Sequence, residues 1–410
     1  MANGVVIVGT GHGGVQVAAS LRDEGYDGPL VLLGDDAELP YHKPPLSKTF
    51  IKDDKAEPQI LRAESFYTSH NIDLRLGERA LRIEGKRIAL ENGNSLEFDT
   101  LVLATGARPR ALSVPGAEFN NVMPLRNIVD ARRIREAARS AEDVVVIGGG
   151  FIGLEIAATL KAGGRKVTVV EVQSRVLARG VSQAIASHVQ RRLADTGVDV
   201  RADVGIARIA GSNGVASGVE LVDGHLIPAS LVIVGVGVVP NIELAQSAGI
   251  AISNGIKIDD AMRTSRSDIL AIGDVANFRH WMTGGDVRLE SVQNATDQAR
   301  CAAKTIVGKP VGYDAVPWFW SDIGDMKLQM VGLVGREDRQ IVAGSPDENR
   351  FSVFHFAAKR LIAIESVNRP ADHMIGRRVL ATDYQPDFDS LSQNPDGLKA
   401  AFAEWQSTSR

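Results

Sequence analysis

The residues most suggestive of chemistry are glycines and carboxylates that recur at matched spacing. VVIVGTGHGGVQVAASLRDEG, from Val5, and VVVIGGGFIGLEIAATLKAGG, from Val144, align without a gap, so Gly9, Gly11 and Gly14 reappear as Gly148, Gly150 and Gly153. Each block is a short β-branched apolar run, a GxGxxG turn and an alanine-rich stretch with helical apolar spacing. Each leads to a second apolar run that ends in acid: LVLLGDD with Asp35 and Asp36, and KVTVVEV with Glu171. In such a unit the first glycine makes a tight turn and the second admits a pyrophosphate to the backbone. The third lets helix pack on strand. The free N–H groups at the helix start meet the phosphate charge, and the acid accepts hydrogen bonds from the adenosine ribose. Two such units predict two dinucleotide sites in one chain.

One tightly held and one exchangeable dinucleotide make the obvious pair, FAD and a nicotinamide nucleotide. A carboxylate at the ribose 2′-OH repels a 2′-phosphate, so Glu171 favours NADH over NADPH. Arg175 and Arg179 stand nearby and leave three roles open: a 2′-phosphate contact, a pyrophosphate contact or a solvated position.

Other elements must position these groups. LVLATG, residues 101–106, and LVIVGVGVVPN, residues 231–241, read as equivalent strands leaving each nucleotide-binding half. ILAIGDV, residues 269–275, reads as a buried strand ending at Asp274, which can bind a ligand hydroxyl at the sheet edge, cap a helix near Val275, or both. Residues 290–304 predict a helix with a polar face. The texture then changes: 327–334 and 351–367 alternate like antiparallel strands, and helices are predicted over 370–383 and in the NPDGLKAAFAEW tail. Between the first glycine unit and the rest stands LPYHKPPLSK, residues 39–48, with two lysines, a proline pair and no cysteine.

The bulk numbers exclude several classes. A chain of 410 residues has room for two or three domains. Its net charge of −4 argues against nucleic acid as a partner. No apolar run reaches the length of a membrane span. The single cysteine, Cys301, cannot form an internal disulfide, a CxxC pair or a multi-cysteine metal site, and reads as a small buried hydrophobe. Cysteine poverty and a strand beginning at Val5 predict a cytoplasmic protein without a signal peptide.

Taken together, GTGHGG, LPYHKPPLSK, LATGARPR, GGGFIGLE, VVPN, DILAIGDVA, ESVQNA and PWFWSD resemble the FAD-dependent pyridine-nucleotide oxidoreductases, within them the bacterial ferredoxin reductases that serve oxygenases. The first and fourth motifs are widespread among flavoproteins; LPYHKPPLSK and PWFWSD are more specific. The resemblance implies a glutathione-reductase-like α/β fold with two dinucleotide-binding domains and an α+β C-terminal domain. Residues 1–112 and 245–318 would form a discontinuous FAD domain, 113–244 an NADH domain and 319–410 the third. Gly9, Gly11, Gly14 and Asp35 would hold the FAD diphosphate and ribose, with Lys43 beside the diphosphate, where many relatives carry arginine. Lys48 would sit near the reactive edge of the isoalloxazine. Asp274, Val292 and Gln293 would approach the ribityl–diphosphate portion and the pyrimidine end, and Trp320 would line the flavin where nicotinamide enters. Thr105, Gly106 and Arg126 complete the FAD set. Gly148, Gly150, Gly153 and Glu171 would bind NADH, with Arg179 and Gly237, and Glu155 would approach the nicotinamide pocket.

The same resemblance implies hydride transfer from NADH to FAD, then single electrons to a [2Fe–2S] ferredoxin feeding an oxygenase, with Lys48, Trp320 and Glu155 nearest the chemistry. A monomer or homodimer is implied. Rubredoxin reductase and NADH oxidase are rival activities. The disulfide-type relatives place a cysteine where this chain has PPLSK, and Cys301 lies far from that loop in sequence. A rival outside catalysis is an NADH-sensing interaction flavoprotein.

Glu171 carries a direct expectation. The kcat/KM for NADH should clearly exceed that for NADPH; equal values would mean that the carboxylate does not face the ribose or that the arginines compensate.

Overall fold

The computed structural model describes residues 4–408 and divides into two compact units. The first takes the chain up to His42, Pro58–Arg108 and Val238–Ala315. The second takes Lys43–Glu57, Pro109–Gly237 and the chain from Val316 onward. Residues 43–57, which the sequence reading assigns to the FAD half, therefore cluster with the second unit. The reason is local. Arg135 stacks its guanidinium over the Phe50 ring at 4.2 Å and donates to the Ala56 carbonyl at 3.0 Å, while Thr159 donates to the Ser47 carbonyl at 3.0 Å.

The first unit is built on a five-stranded parallel sheet with Val5–Val8 at its centre, flanked by Leu30–Gly34 and Asp73–Leu76 on one side and by Thr100–Leu103 and Ile269–Ala271 on the other. Alternation sends successive side chains to opposite faces. Val5 and Ile7 pack with Val17 and Leu21 of helix His12–Asp23 and with Ala299 and Ala302 of helix Val292–Ile306. Val6 and Val8 join Phe98, Leu101 and Leu244 on the other face. Cys301 is buried in the first of these cores, with Sγ 3.1 Å from the Val311 carbonyl.

The second unit repeats the plan. Asp143–Ile147 is central, with Lys166–Val170 and Asp199–Arg201 to one side and Leu231–Val234 and Val122–Pro124 to the other, all parallel. The apolar runs read as equivalent do occupy equivalent places, since Thr100 pairs with Val5 and Leu231 with Val144, each beside its glycine strand. The edge strand differs. It comes from late in the chain in the first sheet and from early in the second.

The second unit also holds an antiparallel sheet ordered Trp318–Ile323, Met326–Gly332, Arg360–Val367, Arg350–Ala357, Arg339–Ser345, with helix Pro370–Leu380 against it. PWFWSD thus opens the sheet as its edge strand. The tail helix is Leu398–Thr408, with NPDG forming the turn before it. Strand Arg339–Ser345 and the three-stranded sheet over 206–228 lack the strong alternation that a sequence reading detects. Among the described residues no helix is long and apolar enough to cross a membrane.

The antiparallel sheet is bolted to the second nucleotide-binding region through Glu365. This carboxylate, 1% exposed, accepts the Ser182 N–H on both oxygens at 3.0 and 3.2 Å, at the start of helix Gln183–Asp195. His355 Nε2 lies 2.9 Å from its Oε2. Removing one member of such a buried set strands the others. Glu365→Ala should destabilise the protein by about 3–5 kcal/mol. Urea unfolding followed by tryptophan fluorescence measures this, and a loss under about 1 kcal/mol would show the contact to be incidental.

Candidate dinucleotide and redox site

The two glycine turns have the same stereochemistry. Gly9 and Gly148 have φ of +117° and +107°, and a Cβ on either would come within 2.2 and 2.4 Å of the carbonyl oxygens of Ala104 and Gly235. A Cβ on Gly14 would stand 1.8 Å from the Gly9 oxygen, and one on Gly153 would stand 2.2 Å from the Gly148 oxygen. At Gly11 and Gly150, by contrast, a built Cβ meets nothing within 4 Å among the described residues beyond the adjoining chain. Both are N-caps of their helices and make no side-chain capping bond, so the first N–H groups keep their capacity to donate. The residues present fit a dinucleotide diphosphate at each turn: open space at the middle glycine, faced by helix N–H groups.

The acids differ in state. Asp35 follows its strand and is exposed; its neighbour Asp36 is committed to structure, accepting from the Tyr41 hydroxyl at 2.7 Å. Glu171 accepts the N–H of Gly149 at 2.7 Å and of Gln173 at 2.8 Å, which fixes its carboxylate beside the second glycine turn. Of the two arginines left open by the sequence, Arg175 is tied down. It donates to the carbonyls of Ala178 and Val181, both at 3.0 Å. Arg179 remains exposed, with Nη2 3.2 Å from the Cβ position of Gly237.

In the first unit, Thr105 Oγ1 donates to the Asn241 carbonyl and Asn241 Nδ2 donates back to the Thr105 carbonyl, both at 2.8 Å. The Asn241 N–H meets the Gly106 carbonyl at 2.9 Å. LATG and VVPN, distant in sequence, therefore form one clasp. Asp274 lies half-buried in the turn Gly273–Val275, where the Gly273 N–H donates to Gln298 Oε1 at 2.7 Å. Val292 opens its helix, and buried Gln293 donates to Asp297 at 2.6 Å. His12 Nε2 and His42 Nδ1 approach to 3.3 Å beside Gly11, a pairing that sequence reasoning missed.

In the second unit, Lys43 is half-buried, and Arg126 immediately precedes the capping box that starts helix Ile128–Ser140. A dense polar cluster centres on Glu155, 6% exposed, in helix Phe151–Ala162. Lys48 Nζ is 2.8 Å from its Oε1, and Ser321 Oγ donates to the same oxygen at 2.6 Å. Ser47 Oγ donates to Oε2. Lys48 also reaches the Pro44 carbonyl at 3.2 Å. The structure therefore brings together Lys48 and Glu155, named separately from sequence, and adds two serines that were missed. Both serines lie inside the specific motifs PPLSK and FWSD, which was the available signal. Half-buried Trp320 stands 5.6 Å from Trp318, and Trp318 is covered by the Arg377 guanidinium at 4.4 Å and edged by His373 at 5.7 Å. Burial pushes the His373 imidazole down to about 4.

Comparison with known proteins gives a consistent picture. Residues 3–299 match the family model described as pyridine nucleotide-disulphide oxidoreductase, and residues 318–402 match the reductase C-terminal model. Rhodocoxin reductase of Rhodococcus erythropolis is 42% identical over 407 residues, covering 98% of this chain and 95% of that one. The crystal structure of the ferredoxin reductase for the CYP199A2 system from Rhodopseudomonas palustris superposes with a TM-score of 0.94 at 43% identity, covering 97% of this chain and 99% of the other. The reductase of the covalent putidaredoxin reductase–putidaredoxin complex superposes with the same TM-score at 38% identity, covering 98% and 99%.

The glycine geometry separates two substitutions. Gly14→Ala forces a side chain onto a backbone oxygen and should lower stability by about 1–3 kcal/mol. Gly11→Ala fits the local backbone, with φ of −77°, and should leave stability nearly unchanged while lowering the FAD-to-protein absorbance ratio of the purified protein. Full FAD retention in Gly11→Ala would show that no diphosphate approaches this turn.

Proposed function

We propose, on the premise that this chain belongs to the pyridine nucleotide-disulphide oxidoreductase family, that it is an NADH-dependent ferredoxin reductase containing FAD. It passes reducing equivalents from NADH to a [2Fe–2S] ferredoxin that feeds an oxygenase. One observation carries the choice within the family. The loop Lys43–Ser47–Lys48 offers amines and a hydroxyl, and the chain's single thiol is elsewhere. Cys301 is 5% exposed in the core of the first unit, and burial pushes it up to about 11. A thiol so placed cannot act as a nucleophilic thiolate near neutral pH, so a disulfide relay has no residue to run on. The electrons must then leave for an external carrier.

FAD, when bound, supplies the conversion between a two-electron donor and a one-electron acceptor. The chain supplies position and charge. In this proposal the turn at Gly148–Gly153 binds the NADH diphosphate and Glu171 accepts from its ribose. The carboxylate, already fixed by two N–H donors, retains lone pairs for the 2′-hydroxyl and repels a 2′-phosphate. Arg175, four residues on, spends its Nη2 on backbone carbonyls, which is consistent with a preference for NADH. The turn at Gly9–Gly14 with Asp35 binds FAD, together with Lys43, Thr105, Gly106, Arg126, Asp274, Val292 and Gln293. Lys48 and Trp320 face the flavin, and Glu155 holds Lys48 in place. A fixed ammonium stabilises negative charge that develops on reduction. Arg179 and Gly237 border the nicotinamide nucleotide.

The test is turnover. With NADH and a purified [2Fe–2S] ferredoxin from an oxygenase system, cytochrome c reduction should depend on ferredoxin and fall as salt is raised, because acidic ferredoxins dock through charge. Efficient reduction of rubredoxin instead would favour the rubredoxin-reductase reading. Rapid consumption of oxygen or quinone with no ferredoxin response would overturn the proposal.

A further inference from the structure

Glu155 is buried, and each of its oxygens is engaged by a named donor. Oε1 takes the Lys48 ammonium and the Ser321 hydroxyl; Oε2 takes the Ser47 hydroxyl. The three donors come from separate places. Ser47 and Lys48 belong to the proline loop, and Ser321 belongs to strand Trp318–Ile323, directly after Trp320. Ser321 is fully buried, so its hydroxyl has no solvent role to play. A buried carboxylate deprived of a donor must move or recruit another, because leaving it unsatisfied is costly. Among the described residues Lys48 has two anchors for its ammonium, Glu155 and the Pro44 carbonyl. Where Glu155 Oε1 stands therefore decides where the ammonium stands.

We propose that Ser321 is a positioning residue for flavin reduction: its hydroxyl holds Glu155 Oε1, and through that oxygen it sets the place of the Lys48 ammonium. Ser47 does the same from Oε2. The inference rests on the reading that Lys48 faces the flavin. It adds that the strand carrying Trp320 sets the charge next to the ring by way of one hydroxyl. Lys48 acts on the chemistry, whereas Ser321 acts only through Glu155.

The experiment uses the FAD-loaded protein and three readouts: flavin midpoint potential, single-turnover reduction by NADH, and urea unfolding. Ser321→Ala should make the potential more negative, by less than Lys48→Ala does. It should slow reduction roughly fivefold to tenfold, the scale of one ordinary hydrogen bond, with little change in the NADH concentration for half-maximal rate. Ser321→Thr, which keeps the hydroxyl, should restore both, and Ser47→Ala should reproduce the defect should Ser321→Ala fold poorly. In Lys48→Ala/Ser321→Ala the serine change should add nothing to the potential shift, since its route is gone. If Lys48→Ala moves the potential and Ser321→Ala and Ser47→Ala do not, the positioning role is wrong and the flavin-facing lysine survives. If Lys48→Ala itself moves neither potential nor rate, both ideas fall. A Ser321→Thr variant as defective as Ser321→Ala, or additive effects in the double variant, would reduce Ser321 to a packing residue.

Discussion

At both strand-to-helix turns a backbone carbonyl occupies the space that a side chain would need. The Gly9 oxygen stands 1.8 Å from the Cβ position of Gly14, and the Gly148 oxygen 2.2 Å from that of Gly153. This contact sets how closely each helix approaches its central strand. It therefore sets how Val15, Val17 and Leu21 meet Val5 and Ile7 in the core behind it. The same geometry directs each helix N-terminus past the end of the strand into open space at Gly11 and Gly150. One steric constraint thus produces both the packed sheet and the anion-receptive turn. It does so twice because the two sequence blocks match glycine for glycine.

The second glycine helix does more than face a diphosphate. Its residues one turn apart, Glu155 and Thr159, project toward the proline loop, as i and i+4 positions share a face. Thr159 donates to the Ser47 carbonyl, and Glu155 accepts from the Ser47 hydroxyl and the Lys48 ammonium. Strand Trp318–Ile323 reaches the same carboxylate through Ser321. The helix whose first N–H groups face the open space at Gly150 is therefore also the frame that holds the Lys48 ammonium. A buried ion pair is weak evidence for stability. Here the added hydroxyls complete the carboxylate's hydrogen bonding, which is the condition under which such a group is tolerated in an interior.

Much of this was legible in the sequence because it rests on local signals. The glycine turns, the acids that close each second strand and the equivalence of LVLATG with LVIVGVGVVPN follow from period and composition, and the strand registers bear out that equivalence. What escaped depended on long-range partners. The reciprocal clasp of Thr105 with Asn241, the membership of residues 43–57 in the second unit and the meeting of Ser47, Lys48, Glu155 and Ser321 all join segments far apart in sequence. A serine carries no pattern that reveals its acceptor. The placing of Arg175 escaped for a similar reason, since only the fold shows its Nη2 turned to the carbonyls of Ala178 and Val181.

The missing thiol in the proline loop has a structural consequence. Position 47 must donate a hydrogen bond to a buried carboxylate oxygen, and position 48 must supply the opposing charge. A thiol donates weakly, and as a thiolate it would place a second anion beside Glu155. A cysteine relay and this satisfied carboxylate are therefore competing uses of the same few residues. The chain has committed the loop to fixing a cation, and its one cysteine packs in the core of the other unit as an inert hydrophobe. The hydrogen-bonding needs of one buried glutamate therefore favour a hydroxyl and an amine over a thiol at these two positions.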